Sequence, residues 1–343
     1  GSDCPAGVDM AQYKSEVLHR TYRKKLRPIS HYSIGWLPRW ISVLDKVPRV
    51  GPAVLNTALG FRPLARLVLQ AGGMDPRRTA PRFAPVTFHR QARRARLGPA
   101  RVAHDRPPVV LWADSFTDGM NPEVGRAATE VLTAAGYRVI VPDEVACCGL
   151  TWITTGQLDG ARARLLKLLD ILAPYAEQGI PIVGLEPSCL AVLRSDLVDL
   201  LPNDPRARRV HDAARTLAEQ LTSDRTWQPP DLSGVELLVQ PHCHHHSVMG
   251  FATDQKLLTR AGATVQVVSG CCGLAGNFGM ERGHYEMSVA VAENALLPAL
   301  RARPETSIVL ADGFSCRTQV EQLAGQPSIT LAQLLADRLS ISR

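Results

Sequence analysis

The chain has 343 residues, 45% of them hydrophobic and 21% charged, which suits a globular protein of two or three domains with a sizeable core. No apolar run approaches the ~18 residues of a transmembrane helix, and the first residues lack the basic, apolar and small-residue order of a secretory signal. The net charge of +7 is concentrated between Arg77 and Arg106, where nine Arg stand with no Lys and only Phe83 and Phe88 as aromatics, so nucleic-acid binding is not expected.

In chain order, residues 1–72 read as helical. Val8, Met10, Val17, Leu18 and Tyr22 recur at helical spacing before Pro28. The apolar stretch from Ile41 to Leu69 is interrupted by Pro48, Pro52 and Pro63 and predicts two or three short helices. Residues 73–107 are rich in Arg, Pro and Gly without periodicity and read as a basic extended linker, solvated or draped over a neighbour.

The remainder contains an internal repeat. The first copy, 108–225, opens with a strand-like run at 107–114 and a helix from Pro122 to Ala135. A second strand at 135–142 leads to Cys147-Cys148-Gly149, a helix over about 157–178, a strand at 180–185, and Glu186-Pro187-Ser188-Cys189. The second copy, 235–343, opens with a strand at 235–242 followed by Cys243, then a helix over about 250–261 and a strand at 261–268. Cys271-Cys272-Gly273, a helix over about 283–302, a strand at 307–312 and Gly313-Phe314-Ser315-Cys316 follow. Alternating short Val/Ile/Leu strands and helices predict an α/β fold with parallel sheets. Each cysteine segment directly follows a strand, and ligands of open α/β sheets sit beyond the carboxyl ends of strands. Cysteines far apart in sequence can therefore meet at one edge.

Eight cysteines are too few for a disulfide scaffold in a chain of this length, and clustered thiols without a secretion signal favour metal or redox chemistry. Cys243, Cys271, Cys272 and Cys316 supply four thiolates in the second copy, enough for an iron–sulfur cluster or a zinc ion. Neighbouring cysteines fit a multi-iron cluster better than a single small ion. The first copy keeps Cys147, Cys148 and Cys189, and the position matching Cys243 falls at about Ser115 or Phe116. These three bind metal with help from water, a histidine or Glu186, pack as small buried hydrophobes, or share one cluster with cysteines of the second copy. His242 and His244 flank Cys243 and are candidates to ligate, to hydrogen-bond cluster sulfur or to move protons. The glycine-rich run from Gly273 to Gly279 matches neither a dinucleotide fingerprint nor a phosphate loop and reads as a close-approach loop, with Gly273 beside the cofactor. Cys4-Pro5 has the form of the last ligand of a ferredoxin-type motif whose other cysteines are absent. No residue is assigned a catalytic role in bond making.

Residues from about 108 to 330 resemble the tandem cysteine-rich (CCG) domain found in heterodisulfide reductase and in iron–sulfur subunits of glycolate, glycerol-3-phosphate and lactate oxidation. The resemblance lies in Cys147-Cys148-Gly149, Cys271-Cys272-Gly273 and the flanking Cys189, Cys243 and Cys316. The segments Asp3 to Met10, Pro28 to Ser33, Gly184 to Cys189 and Ala311 to Cys316 are similar to the C-terminal part of fused FAD-linked oxidases for D-lactate or D-2-hydroxyglutarate. That resemblance implies an iron–sulfur electron-transfer module, of [4Fe–4S] type, that receives electrons from a flavin dehydrogenase domain and passes them to a quinone or protein acceptor. It places the FAD outside this chain, makes residues 1–72 the tail of a ferredoxin-like domain, and implies a cytoplasmic protein, either free or peripheral at the inner face of the membrane. A zinc-binding docking domain without redox role is the alternative. In each closing Cys-x-x-Cys of the family only the second cysteine is kept: Glu186 and Gly313 stand at the first.

Overall fold

The computed structural model describes residues 9–98 and 105–341. Among these residues seven short strands form two all-parallel sheets. The first contains β1 (Pro108–Trp112), β2 (Arg138–Ile140), β3 (Ile182–Gly184) and β4 (Ala214–Arg215) in the order β2-β1-β3-β4. The second contains β5 (Glu236–Val239), β6 (Thr264–Val267) and β7 (Ile308–Leu310) in the order β6-β5-β7. Each sheet is built around its own first strand, flanked by the second and third. The short strand β4 extends the first sheet alone and was not expected from the sequence.

Alternate residues along the strands face different layers, as the period of two requires. Val109, Leu111, Val183, Leu237, Val239 and Leu310 contribute to one core shared by both sheets, filled by the helices Pro122–Ala134, Leu217–Ser223, Ala252–Arg260 and Leu331–Ile341. Val110, Trp112 and Ile182 face outward onto the helix Leu158–Glu177, which buries Leu158, Ala161, Leu165, Leu168, Leu169 and Leu172 at helical spacing. Leu238 and Val309 face outward onto Leu296, Leu300 and Val320. Each fully buried Leu or Val contributes about 1.5–3 kcal/mol, so the three cores hold the sheets rigidly beneath the loops that carry the cysteines.

Two expectations need correction. The helix predicted over 283–302 is two helices, Tyr285–Glu293 and Leu296–Ala302, broken where Ala295 leaves helical geometry. The described part of the segment expected to be a basic extended linker is in part packed: it contains the helix Phe88–Arg94, with Phe88 fully buried, and Arg78 is buried against the second sheet's helices. The physical reason is that some of its arginines satisfy internal acceptors. Arg78 donates from Nε to Gly279 O (2.7 Å), from Nη1 to Gln319 Oε1 (2.8 Å) and from Nη2 to Ser288 Oγ (2.6 Å).

Candidate metal centre

Strand register aligns the two cysteine sets. Val183 pairs with Leu111 in the first sheet, and Leu310 pairs with Val239 in the second. Counting on from these pairs, Cys189 matches Cys316, Glu186 matches Gly313, and Ser115 matches Cys243. The missing cysteine of the first copy is therefore Ser115 and not Phe116. Ser115 is buried and its hydroxyl interacts with Cys147. It is held there because Asp114 caps the helix Ser115–Gly119, accepting from Phe116 N (2.8 Å), Thr117 N (3.1 Å) and Thr117 Oγ1 (2.7 Å).

All seven cysteines among the described residues are free, and they gather in two groups. Cys271 interacts with both Cys243 and Cys272, and Cys272 interacts in turn with Cys316. In the first copy Cys148 interacts with both Cys147 and Cys189. Cys148, Cys189, Cys272 and Cys316 are buried, Cys147 and Cys271 are half-buried, and Cys243 is exposed. Cys4 lies outside the described residues.

The sulfurs form a string and not a tetrahedron. Among the described residues, the set of three donors all within 4.8 Å of one another is His245, Asp254 and Asp312, and no three cysteine sulfurs meet that condition. A tetrahedral zinc site with Zn–S bonds of about 2.3 Å would hold all its sulfurs about 4 Å apart. The wider spread suits a body with several metal atoms. Cys271 is held below the ordinary thiol value, because thiol donors at Cys243 and Cys272 and the Gly273 N–H (3.3 Å from Sγ) favour its thiolate. Cys243 is pushed up, first by its hydrogen bond with Cys271. The corresponding Gly149 N–H lies 3.4 Å from Cys147 Sγ. Both glycines have positive φ, +74° at Gly149 and +90° at Gly273, which frees the N–H to turn back on the first sulfur.

A Cβ at Gly273 would fall 2.2 Å from the Ser288 carbonyl oxygen, so its backbone closely approaches the helix Tyr285–Glu293. Further on, Leu274, Ala275, Gly276 and Asn277 line a cavity of about 1100 Å³. That cavity also reaches Cys243, His242, His244 and Glu186.

His242 is fixed by its neighbours. Its Nδ1 accepts from the His244 N–H (3.1 Å), and its Nε2 lies 3.2 Å from Ser315 Oγ. Nδ1 is thus an acceptor and the proton sits on Nε2. Nδ1 lies 3.9 Å from Cys243 Sγ and has no proton to give it. Burial, then the neighbouring His244, pushes the His242 pKa down to about 3, so the ring is neutral. His242 also explains Gly313: a Cβ there would come 2.3 Å from His242 Cδ2, so the imidazole occupies the space a further cysteine would need. His244 is likewise held neutral by burial, and its Nδ1 is buried without a hydrogen-bond partner. An unpaired buried nitrogen on the cavity wall is a docking point for an occupant.

Glu186 ties the two copies together. Its Oε2 accepts from Phe314 N (2.7 Å) and its Oε1 from Ser188 Oγ (2.7 Å). Phe116 stacks on Phe314 beside it, centroids 5.0 Å apart. Burial, reinforced by Asp114, raises the Glu186 pKa to about 7. Two cations went unnoticed in the sequence. Buried Arg78 feels the charge of Cys272, and half-buried Arg164 feels that of Cys147 while stacking 3.4 Å from the Trp152 ring centre. One positive charge thus stands near each cysteine pair. Nothing in the spacing of these arginines marks them out, since both lie in Arg-rich stretches.

Residues 114–194 match the cysteine-rich domain family CCG. The match falls on the three-cysteine half, in which Ser115 stands where the second half has Cys243. The chain is 28% identical over 295 residues to the C subunit of the anaerobic glycerol-3-phosphate dehydrogenase of Escherichia coli K12, covering 82% of this chain and 72% of that protein. It is 25% identical over 335 residues to the D-2-hydroxyglutarate dehydrogenase of the same strain, with 94% of this chain but 32% of the relative covered. It is 24% identical over 241 residues to that strain's glycolate oxidase iron–sulfur subunit, with 66% of this chain and 58% of that protein covered. The chain therefore spans about a third of the D-2-hydroxyglutarate dehydrogenase it resembles.

Proposed function

We propose that this CCG protein is an iron–sulfur electron-transfer module of a flavin-linked dehydrogenase for a small 2-hydroxy acid or polyol phosphate. The observation that carries the reading is the open string of four cysteines, Cys243, Cys271, Cys272 and Cys316, beside a buried cation and with Cys243 on the wall of a large cavity. These thiolates would hold a [4Fe–4S] cluster, which supplies one-electron transfer when bound. The chain's own residues do the rest. Gly273 N–H holds Cys271 as thiolate, Arg78 offsets the negative charge of the thiolate set, and neutral His242 keeps Gly313 and Ser315 in place beneath it. Cys147, Cys148 and Cys189, with Ser115 in the fourth position, form an incomplete site in the half bounded by residues 108–225, and the full set of four cysteines lies in the half bounded by residues 235–343. The flavin partner and the quinone or protein acceptor rest on the resemblance; Cys4 belongs to the ferredoxin-like tail in this reading.

The test is iron and acid-labile sulfide content of anaerobically prepared protein, with EPR of the reduced sample. About four iron and four sulfide per chain is the outcome for a single [4Fe–4S] cluster in the second copy. Cys272→Ser should abolish it, and Cys148→Ser should leave it. Zinc without sulfide would overturn the reading in favour of a structural docking domain.

A further inference from the structure

Three polar side chains of the second copy meet outside the cysteine string. His245 comes from the π-helical turn His245–Met249 after β5, Asp254 from the first turn of the helix Ala252–Arg260, and Asp312 from the loop after β7. One ligand atom of each lies within 4.8 Å of the other two. His245 Nε2 stands 3.1 Å from Asp254 Oδ2. Donors bound to one first-row ion at about 2.0–2.2 Å keep a similar separation, about 3.0–3.5 Å.

The carboxylates are short of partners. His245 and Asp254 are 3% and 2% exposed, and Asp312 is half-buried. Buried polar groups are normally paired. Asp254 Oδ2 has the His245 ring nitrogen, and Asp312 Oδ1 accepts from Leu331 N (2.8 Å). The other oxygen of each carboxylate accepts no hydrogen bond from the described residues. Arg317 is near, but its N–H groups go to the carbonyl oxygens of Ala311 and Asp312 and to Asn121 Oδ1. Burial, then Asp254, pushes the Asp312 carboxyl above its ordinary value, as expected where two carboxylates share a site with no cation between them.

The space between the three groups has the size of an ion. A cavity of about 20 Å³ is lined by His245, Asp254 and Asp312, by Thr216 and Thr330, and by apolar residues of both copies. That volume admits one water-sized body and excludes an organic ligand. One imidazole nitrogen with two carboxylates is a donor set that suits Mn²⁺ or Fe²⁺ better than a thiophilic ion. The first copy offers no such set: by strand register Leu185 matches Asp312 and Thr117 matches His245. The three donors thus accompany the copy that has all four cysteines.

We propose that His245, Asp254 and Asp312 form a site for one divalent first-row cation, separate from the cysteines. His245 is two residues beyond Cys243, and Asp312 is four residues before Cys316. The bound ion would tie together the loops that carry the two ends of the cysteine string. The site does not rest on the function proposed above.

The experiment is titration of Mn²⁺ into the 343-residue chain, prepared anaerobically and passed over a chelating resin, with free Mn²⁺ read by EPR. One Mn²⁺ per chain should bind, and pulsed EPR should show a nitrogen coupling that His245→Gln removes. Asp254→Asn and Asp312→Asn should each weaken binding at least about tenfold. Cys272→Ser should bind Mn²⁺ as the wild type does, since no cysteine is a ligand. The melting temperature of the wild type should rise with Mn²⁺, and that of Asp254→Asn should not. Far-UV circular dichroism checks the fold. Should the asparagine variants not fold, the nitrogen coupling of the wild type decides, its presence supporting the site and its absence overturning it. No stoichiometric binding, unchanged binding in both asparagine variants, or loss of binding in a folded Cys272→Ser overturns the proposal. Iron and sulfide are measured on the same samples. A chain that binds Mn²⁺ but holds no cluster keeps the cation site and counts against the function proposed above, and a cluster-loaded chain that binds no Mn²⁺ does the reverse.

Discussion

Replacing Gly273 by Ala tests how the paired cysteines are held. Gly273 has φ +90°, and a Cβ there would lie 2.2 Å from Ser288 O and 3.1 Å from Ala292 N. Both are backbone atoms of the helix Tyr285–Glu293 and cannot swing aside as a flexible side chain would. The left-handed backbone costs an L-residue about 1–2 kcal/mol, and forcing an extra carbon into packed surroundings costs about 1–3 kcal/mol more. Gly273→Ala should therefore destabilise by about 3 kcal/mol. Gly149, its counterpart, has φ +74°, and its nearest would-be contacts are Ala161 Cα and O at 3.3 Å. Gly149→Ala should cost only the backbone part, about 1–2 kcal/mol. Urea unfolding of the metal-free, reduced protein, followed by far-UV circular dichroism, compares the two. Relief of the clash would also pull the Gly273 N–H off Cys271 Sγ, so iron uptake should fall in Gly273→Ala and hold in Gly149→Ala. Equal costs for the two variants, or full iron uptake by Gly273→Ala, would refute the argument that contact with Ser288 sets the geometry of the pair.

Other outcomes follow from the buried charges. Arg78→Leu removes a cation near Cys272 and should shift the reduction midpoint of the loaded protein to more negative values, whereas Arg78→Lys should restore most of the shift; redox titration by EPR decides, and an unchanged midpoint in Arg78→Leu counts against a charge role. Glu186 has a folded pKa raised from 4.5 to about 7, so the folded state holds a proton that the unfolded chain releases. Its contribution is present below pH 4.5 and is lost as pH rises toward 7. Glu186→Gln should match the wild type near pH 4.5 and become more stable than it by up to about 3 kcal/mol at about pH 8; a pH-independent difference would show that Glu186 is ionised throughout.

The sequence carried the architecture well. A strand-like run of Val, Ile and Leu precedes every cysteine segment of the two copies, and the structure places all six expected strands within the predicted runs. Apolar spacing continues across Ala295, so the pattern at 283–302 cannot reveal the break in the backbone there. In the segment 73–107, composition cannot distinguish an arginine in water from one that donates to buried oxygens.

What the sequence determined by itself was the inventory and its local order: two Cys-Cys-Gly units, each after a strand, and Cys189, Cys243 and Cys316, each after another strand. Chain neighbours and strand periodicity fix those relations within a few residues. Only the tertiary structure decided which groups stand together. Strand pairing identified Ser115 as the counterpart of Cys243. Contact between loops showed His242 filling the space over Gly313, and Glu186 reaching from one copy to Phe314 of the other. Folding back of the N-terminal half brought Arg78 to the second cysteine set and laid an apolar helical face over the cavity that leads to it. Such contacts join residues far apart along the chain, and they depend on how the layers pack and not on any spacing in the sequence.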